Sequence, residues 1–101
     1  MAVMSAKLSE ALVKATYARD VEDAFNRVFS EFLELKLSQL QQIIETYRDK
    51  WGGPFEEFKK QIEEGTLKKD AYSFETENDF WQWEEAETLN EHYGNIKNQW
   101  M

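Results

Sequence analysis

The sequence predicts an all-α fold, and three observations carry the prediction. No Gly or Pro occurs between Met1 and Trp51, so the first half of the chain offers nothing that stops a helix. Its apolar residues recur three and four apart, the period of one helix face. The second half is divided by strong helix punctuation, Gly52-Gly53-Pro54 and Gly65, into segments of helical length.

The first half reads as one long helix over residues 5–50. Val21, Phe25, Val28 and Phe32 are spaced 4-3-4, and Leu33, Leu37, Leu40, Ile44, Tyr47 and Trp51 are spaced 4-3-4-3-4. The single step from Phe32 to Leu33 rotates the stripe and widens it near residues 29–33. Upstream, Met4, Leu8, Leu12 and Ala15 form a further stripe. Asp20, with Asp23 three residues on, is able to cap a fresh helix, so the long helix has a natural break near Ala18–Asp20.

Gly52-Gly53-Pro54 ends that helix. Phe55, Phe58 and Ile62 then mark a short middle helix, with Glu56 and Glu57 in its first turn where the helix dipole favours acids. Glu56 and Glu57 also lie within reach of Lys60 along this helix, for a few tenths of a kcal/mol. Gly65 stops it, and residues 66–71 read as a polar loop. Tyr72, Ser73 and Phe74 read as extended. A last helix begins near Thr76, with Asp79 three residues on resembling a capping box. It carries Phe80, Trp83, Ala86, Leu89, Tyr93, Ile96 and Trp100 on its apolar positions. Gly94 weakens it by roughly 1 kcal/mol relative to alanine.

At 101 residues the chain suits a single domain. A domain of this size has marginal stability, and self-association is a common remedy. A helix of 30 residues spans about 45 Å, longer than the two later helices are able to cover. The stripe of Val21, Phe25, Val28, Phe32, Leu33, Leu37, Leu40 and Ile44 is therefore expected to be an oligomer interface, giving a helical homodimer. A closed monomeric bundle is the alternative.

Charge divides the chain. Net charge is −8, with seven Lys/Arg against eight Asp/Glu in residues 1–50 and five against twelve in residues 51–101. Residues 1–51 thus read as an assembly half and residues 54–101 as an acidic-aromatic recognition half. Direct binding to nucleic acid needs clustered Lys and Arg and is not expected. The absence of cysteine excludes disulfides, thiolate catalysis and cysteine-ligated metal sites. No apolar run approaches the ~20 residues of a membrane span, and the first residues lack a secretory core. A cytoplasmic, non-membrane protein is expected.

Catalytic chemistry finds little support. His92 is the lone histidine, and a general base also needs a positioned partner and a pocket. The residue three before it is Leu89, so the Glu-x-x-His signature of bundle di-iron sites is missing. No glycine-rich phosphate loop is present. No enzyme activity and no cofactor are expected. The pairs Glu56–Glu57, Glu63–Glu64 and Glu84–Glu85 diverge by about 100° on a helix and do not share a site.

The segment from Glu75 to Glu91 is different. It holds seven acids and no Lys or Arg, interleaved with aromatic residues. Phe80 and Trp83 share a face by i, i+3 spacing, and Trp81 cannot fully join them, so at least one large aromatic lies off the buried stripe. Exposed tryptophan among acids suits an arginine-rich surface through cation–π and ion-pair contacts. The expected partner-binding residues are Glu75, Glu77, Asp79, Phe80, Trp81, Trp83, Glu84, Glu85 and Glu87. The bland alternative is a tryptophan-rich core with a solvated acidic face.

Two blocks carry a family resemblance: WGGPFEEFKKQIEEG from Trp51, and YSFETENDFWQWEEA from Tyr72. They resemble small acidic prokaryotic proteins in which a "Y-G-x-S-F-E-E-F" start precedes "E-x-G" and then "E-x-E-x-D-Y-W-E-W-E". Such proteins are typically encoded beside a small ribonuclease-like toxin and are assigned as antitoxins or partner proteins. The resemblance spans roughly residues 40–93. It falls on Phe55, Glu56, Glu57, Phe58, Glu64, Gly65, Glu75, Glu77, Asp79, Phe80, Trp81, Trp83 and Glu84. Gly52-Gly53-Pro54 and Gln82 depart from the pattern. The resemblance implies a protein that neutralises a basic, ribonuclease-like partner. The alternatives are an acidic nucleic-acid mimic, such as an anti-CRISPR or nuclease inhibitor, and a purely structural helical adaptor.

Overall fold

A computed structural model describes residues 5–67 and 73–100. They form four helices, α1 (Ala6–Thr16), α2 (Val21–Trp51), α3 (Phe55–Glu64) and α4 (Phe74–Trp100), with no strand among the described residues. The fold is all-α. None of these helices is long and apolar enough to cross a membrane. Met1, Met4 and Tyr72, named above, and residues 68–71 of the expected loop lie outside the described residues.

The chain divides into two compact units, Met1–Leu35 and Lys36–Met101, with the division inside α2. In the first unit, the Ser5 hydroxyl accepts the Leu8 N–H at 3.1 Å and caps α1. The helix ends at Tyr17, a non-glycine residue held at φ 54°. The Asp20 carboxylate then accepts the Asp23 N–H at 2.8 Å and starts α2, so the expected break is present. The turn is fastened twice more. Asp23 Oδ2 accepts the Arg19 N–H at 3.1 Å and faces Arg27 Nε at 3.3 Å. The Arg19 N–H, the largest influence, and the two arginine charges hold the Asp23 carboxyl below its usual range. Arg27 also donates to the Thr16 carbonyl at 3.2 Å.

In the second unit, Gly52 and Gly53 both donate to the Arg48 carbonyl, at 2.8 and 3.1 Å, and close α2. Gly52 takes φ 78°, where only glycine sits without strain. Pro54 precedes α3 in an extended conformation. Gly65 at φ 69° closes α3, as Thr66 donates back to the Gln61 carbonyl at 3.0 Å.

The core of this unit is Leu40, Ile44, Phe55, Phe58, Trp83 and Ala86, flanked by Tyr47, Trp51, Ile62, Leu67, Phe80, Leu89 and Tyr93. Leu40 and Ile44 are thus buried within their own chain, and Leu33, which belongs to the first unit, is buried as well. This corrects their expected place in an oligomer interface, because α3 and α4 supply Leu40 and Ile44 with a cover from the same chain. Val21 and Leu37 are half-buried, while Phe25, Val28 and Phe32 are exposed. The two spacing series on α2 are therefore two faces with different fates.

The start of α4 also differs from expectation. Phe74 is helical rather than extended. The Ser73 hydroxyl accepts the Thr76 N–H at 3.2 Å, and the Ser73 carbonyl accepts the Glu77 N–H at 3.0 Å. Ser73, not Thr76, is the capping residue, and the Asp79 side chain is engaged elsewhere. Further along, a Cβ added at Gly94 meets nothing within 4 Å, whereas Gly65 needs its positive φ. Gly94→Ala is expected to raise stability by about 0.5–1 kcal/mol and Gly65→Ala to lower it by about 1 kcal/mol, both read from urea midpoints.

Candidate functional site

The acidic-aromatic segment folds as the first half of α4, and helix geometry sorts its residues. At about 100° per residue, Trp83 and Phe80 point one way while Phe74, Glu77, Trp81, Glu84 and Glu85 spread over another arc. Trp83 is fully buried. Its ring lies 5.7 Å from Tyr47, 5.3 Å from Phe55 and 5.2 Å from Phe58. Its N–H donates to Glu87 Oε1 at 3.2 Å. Phe80 is half-buried against Phe55 at 5.4 Å. Trp83 therefore belongs to the core and is not a partner anchor, and Phe80 contributes mainly to the same core.

Asp79 is corrected in the same way. It is 5% exposed. Its Oδ2 accepts the Trp51 indole N–H at 3.0 Å and lies 2.5 Å from Lys50 Nζ. Glu75 Oε1 lies 2.8 Å from the same ammonium. The hydrogen bond to Asp79, then that to Glu75, raises the Lys50 pKa above the ordinary lysine value. Burial, and next the Asp79 charge, raises that of the Tyr47 hydroxyl. Asp79 and Glu75 thus fasten the start of α4 to the end of α2, and Lys50 offsets their charge.

What remains exposed is narrower and more definite. Phe74 is 84% and Trp81 63% exposed. Seven residues apart, they lie two turns from each other on one face, about 10 Å along the axis. Trp81 stands edge-on to Phe80 at 5.3 Å, so its base is held while its outer face meets solvent. Glu77, Glu84 and Glu85 surround it, and none of them forms an ion pair among the described residues.

Beside this face, around the helix through Glu84, lies a groove of about 480 Å³. Glu56, Glu84, Glu87 and Glu91 line it, Ile44 and Phe55 contribute apolar walls, and Arg48 is the one cation among the described residues that line it. Glu84 and Glu87 are among the expected partner-binding residues, whereas Glu56 is not; it comes from α3 and joins them only through folding. Phe74 was also missed, although its i, i+7 relation to Trp81 is a readable signal. His92 is exposed and stacks edge-on with Tyr93 at 5.4 Å. Among the described residues no group of three or more His, Asp or Glu is placed to hold a metal ion. No family model, curated protein or solved structure matches the chain.

Proposed function

We propose that the chain is a non-catalytic binding protein that neutralises a basic protein partner. One observation carries the reading: Phe74 and Trp81 are exposed on a single face of α4 among Glu77, Glu84 and Glu85, none of which forms an ion pair among the described residues. A single acid on a helix surface is ordinary, and a single exposed aromatic is too. Their combination offers flat π faces for guanidinium groups and carboxylates to pair with them. The partner chemistry that fits is an arginine- and lysine-rich surface of the kind that receives phosphates. Occupying such a surface blocks its access to nucleic acid, so the mechanism is occlusion. The resemblance to antitoxins directs this to a ribonuclease-like toxin; an acidic mimic acting on another nuclease is the second reading, and it uses the same face. The adaptor reading with every tryptophan buried is weakened by the exposure of Trp81 and Trp100.

The test is recovery of the partner from the native host, followed by titration with the purified partner. Trp81→Ala is expected to weaken binding by about 1–2 kcal/mol, or roughly 5–30-fold. The triple change Trp81→Ala, Glu84→Lys, Glu85→Lys is expected to abolish it, and added salt to weaken the wild-type complex. Failure of the wild type to recover any basic protein, or equal recovery by the triple variant, rejects the reading. Loss of ribonuclease activity in the complex selects the antitoxin form.

A further inference from the structure

The two halves of the exposed face on α4 are held by different means. Trp81 lies between Phe80 and Trp83, which pack into the aromatic core, and its own ring stands against Phe80. Among the described residues, none of α4 before Phe80 belongs to that core. The inward side of the first turns is polar instead, with Thr76 and Asp79 as its buried residues. At about 100° per residue, Phe74 points away from both. A helix end opens locally unless something fastens it.

One side chain of α2 reaches across to this segment. Lys50 Nζ lies 2.8 Å from Glu75 Oε1 and 2.5 Å from Asp79 Oδ2. It also lies over the Trp51 ring, 5.6 Å from the centroid, and Trp51 donates its N–H to the same Asp79 oxygen. Glu75 and Asp79 are four residues apart, on adjacent turns. One ammonium therefore ties two turns of α4 to each other as well as to α2. We propose that Lys50 is a positioning residue for the exposed face: by bridging Glu75 and Asp79 it keeps the first turns of α4 helical and holds Phe74 and Glu77 in line with Trp81. This role rests on that face being the partner-binding surface. Lys50 acts through the two carboxylates and not by touching the partner. Its effect is confined to the Phe74 half, because the core holds Trp81 without it. A Phe74 already in place spares the partner the ordering of a frayed helix end.

Amide exchange on the free chain and titration with a deca-arginine peptide test the proposal together. In Lys50→Met, the amides of residues 77–80 are expected to exchange about tenfold faster or more, while those of residues 84–93 keep their wild-type rates. Lys50→Arg is expected to keep the wild-type protection, since a guanidinium also bridges two carboxylates. In the titration, Phe74→Ala is expected to weaken peptide binding about threefold or more in the wild-type background and less than about twofold beside Lys50→Met. Trp81→Ala is expected to weaken it equally in both backgrounds. If Lys50→Met does not fold, Asp79→Asn, which keeps an acceptor for Trp51, is read in the same way. Unchanged exchange at residues 77–80, faster exchange along the whole of α4, no rescue by Lys50→Arg, or equal coupling of Phe74 and Trp81 to Lys50 overturns the proposal and leaves the face standing as a binding surface. A wild type that does not bind the peptide overturns the reading of the face, and the proposal with it.

Discussion

Replacing Trp83 by alanine is expected to destabilise the protein by about 3–5 kcal/mol, the range for removing a buried aromatic side chain from a core. Trp83 has no exposed surface and is the largest fully buried side chain. Three aromatic rings from two other helices, Tyr47, Phe55 and Phe58, lie within 6 Å of its own. Removing a side chain packed among three rings leaves a cavity, so a cavity term adds to the lost transfer energy. Against a total of about 5–15 kcal/mol for a native domain, the variant sits near the edge of folding. A fall of at least roughly 12 °C in thermal midpoint follows for a domain of this size. Trp83→Phe is expected to fall between, because it keeps most of the ring contact and forfeits the N–H bond to Glu87. A loss below about 1 kcal/mol for the alanine variant contradicts the central place given to this side chain.

The contrast between Trp83 and Trp81 shows what was legible in the chain. Helical spacing alone requires that one of two tryptophans two residues apart leave the face shared with Phe80, and Trp81 does. The break at Asp20 and the stops at Gly52 and Gly65 were legible for the same reason. Caps and left-handed turns are made by residues within four positions of each other. Asp79 was misplaced because its partners are Lys50 and Trp51, about thirty residues away. Nothing local distinguishes a carboxylate held by a distant ammonium from one facing solvent. Glu56 escaped the site for the same cause, since α3 must fold beside α4 before its carboxylate lines their groove. On α2, the step from Phe32 to Leu33 announced two faces. Which of them the chain covers itself was decided by α3 and α4, through contacts with Leu40 and Ile44.

Asp79→Ala is expected to cost about 2–4 kcal/mol, second only to the loss of Trp83. Two physical terms contribute. The Trp51 indole N–H loses the Asp79 carboxylate as acceptor in a half-buried setting, at about 1–3 kcal/mol. The Lys50 ammonium loses the nearer of its two carboxylates; its side chain is 35% exposed, and it keeps Glu75 and solvent, which holds the total below the limit for a fully buried pair. Asp79→Asn separates the terms, because the amide oxygen still accepts from Trp51 while the charge is gone. The sign of the pH dependence follows from Lys50. Its folded pKa is raised, so the stability it adds is complete below its unfolded value, about 10.4, and is lost as pH rises through the higher folded value. Tyr47, also raised, acts in the same direction from about pH 10 upward. Urea midpoints at neutral and alkaline pH are therefore expected to converge for wild type and Asp79→Asn as pH increases. Parallel curves across the alkaline range, or a neutral-pH difference under about 0.5 kcal/mol, contradict the role of this ion pair in fastening α4 to α2.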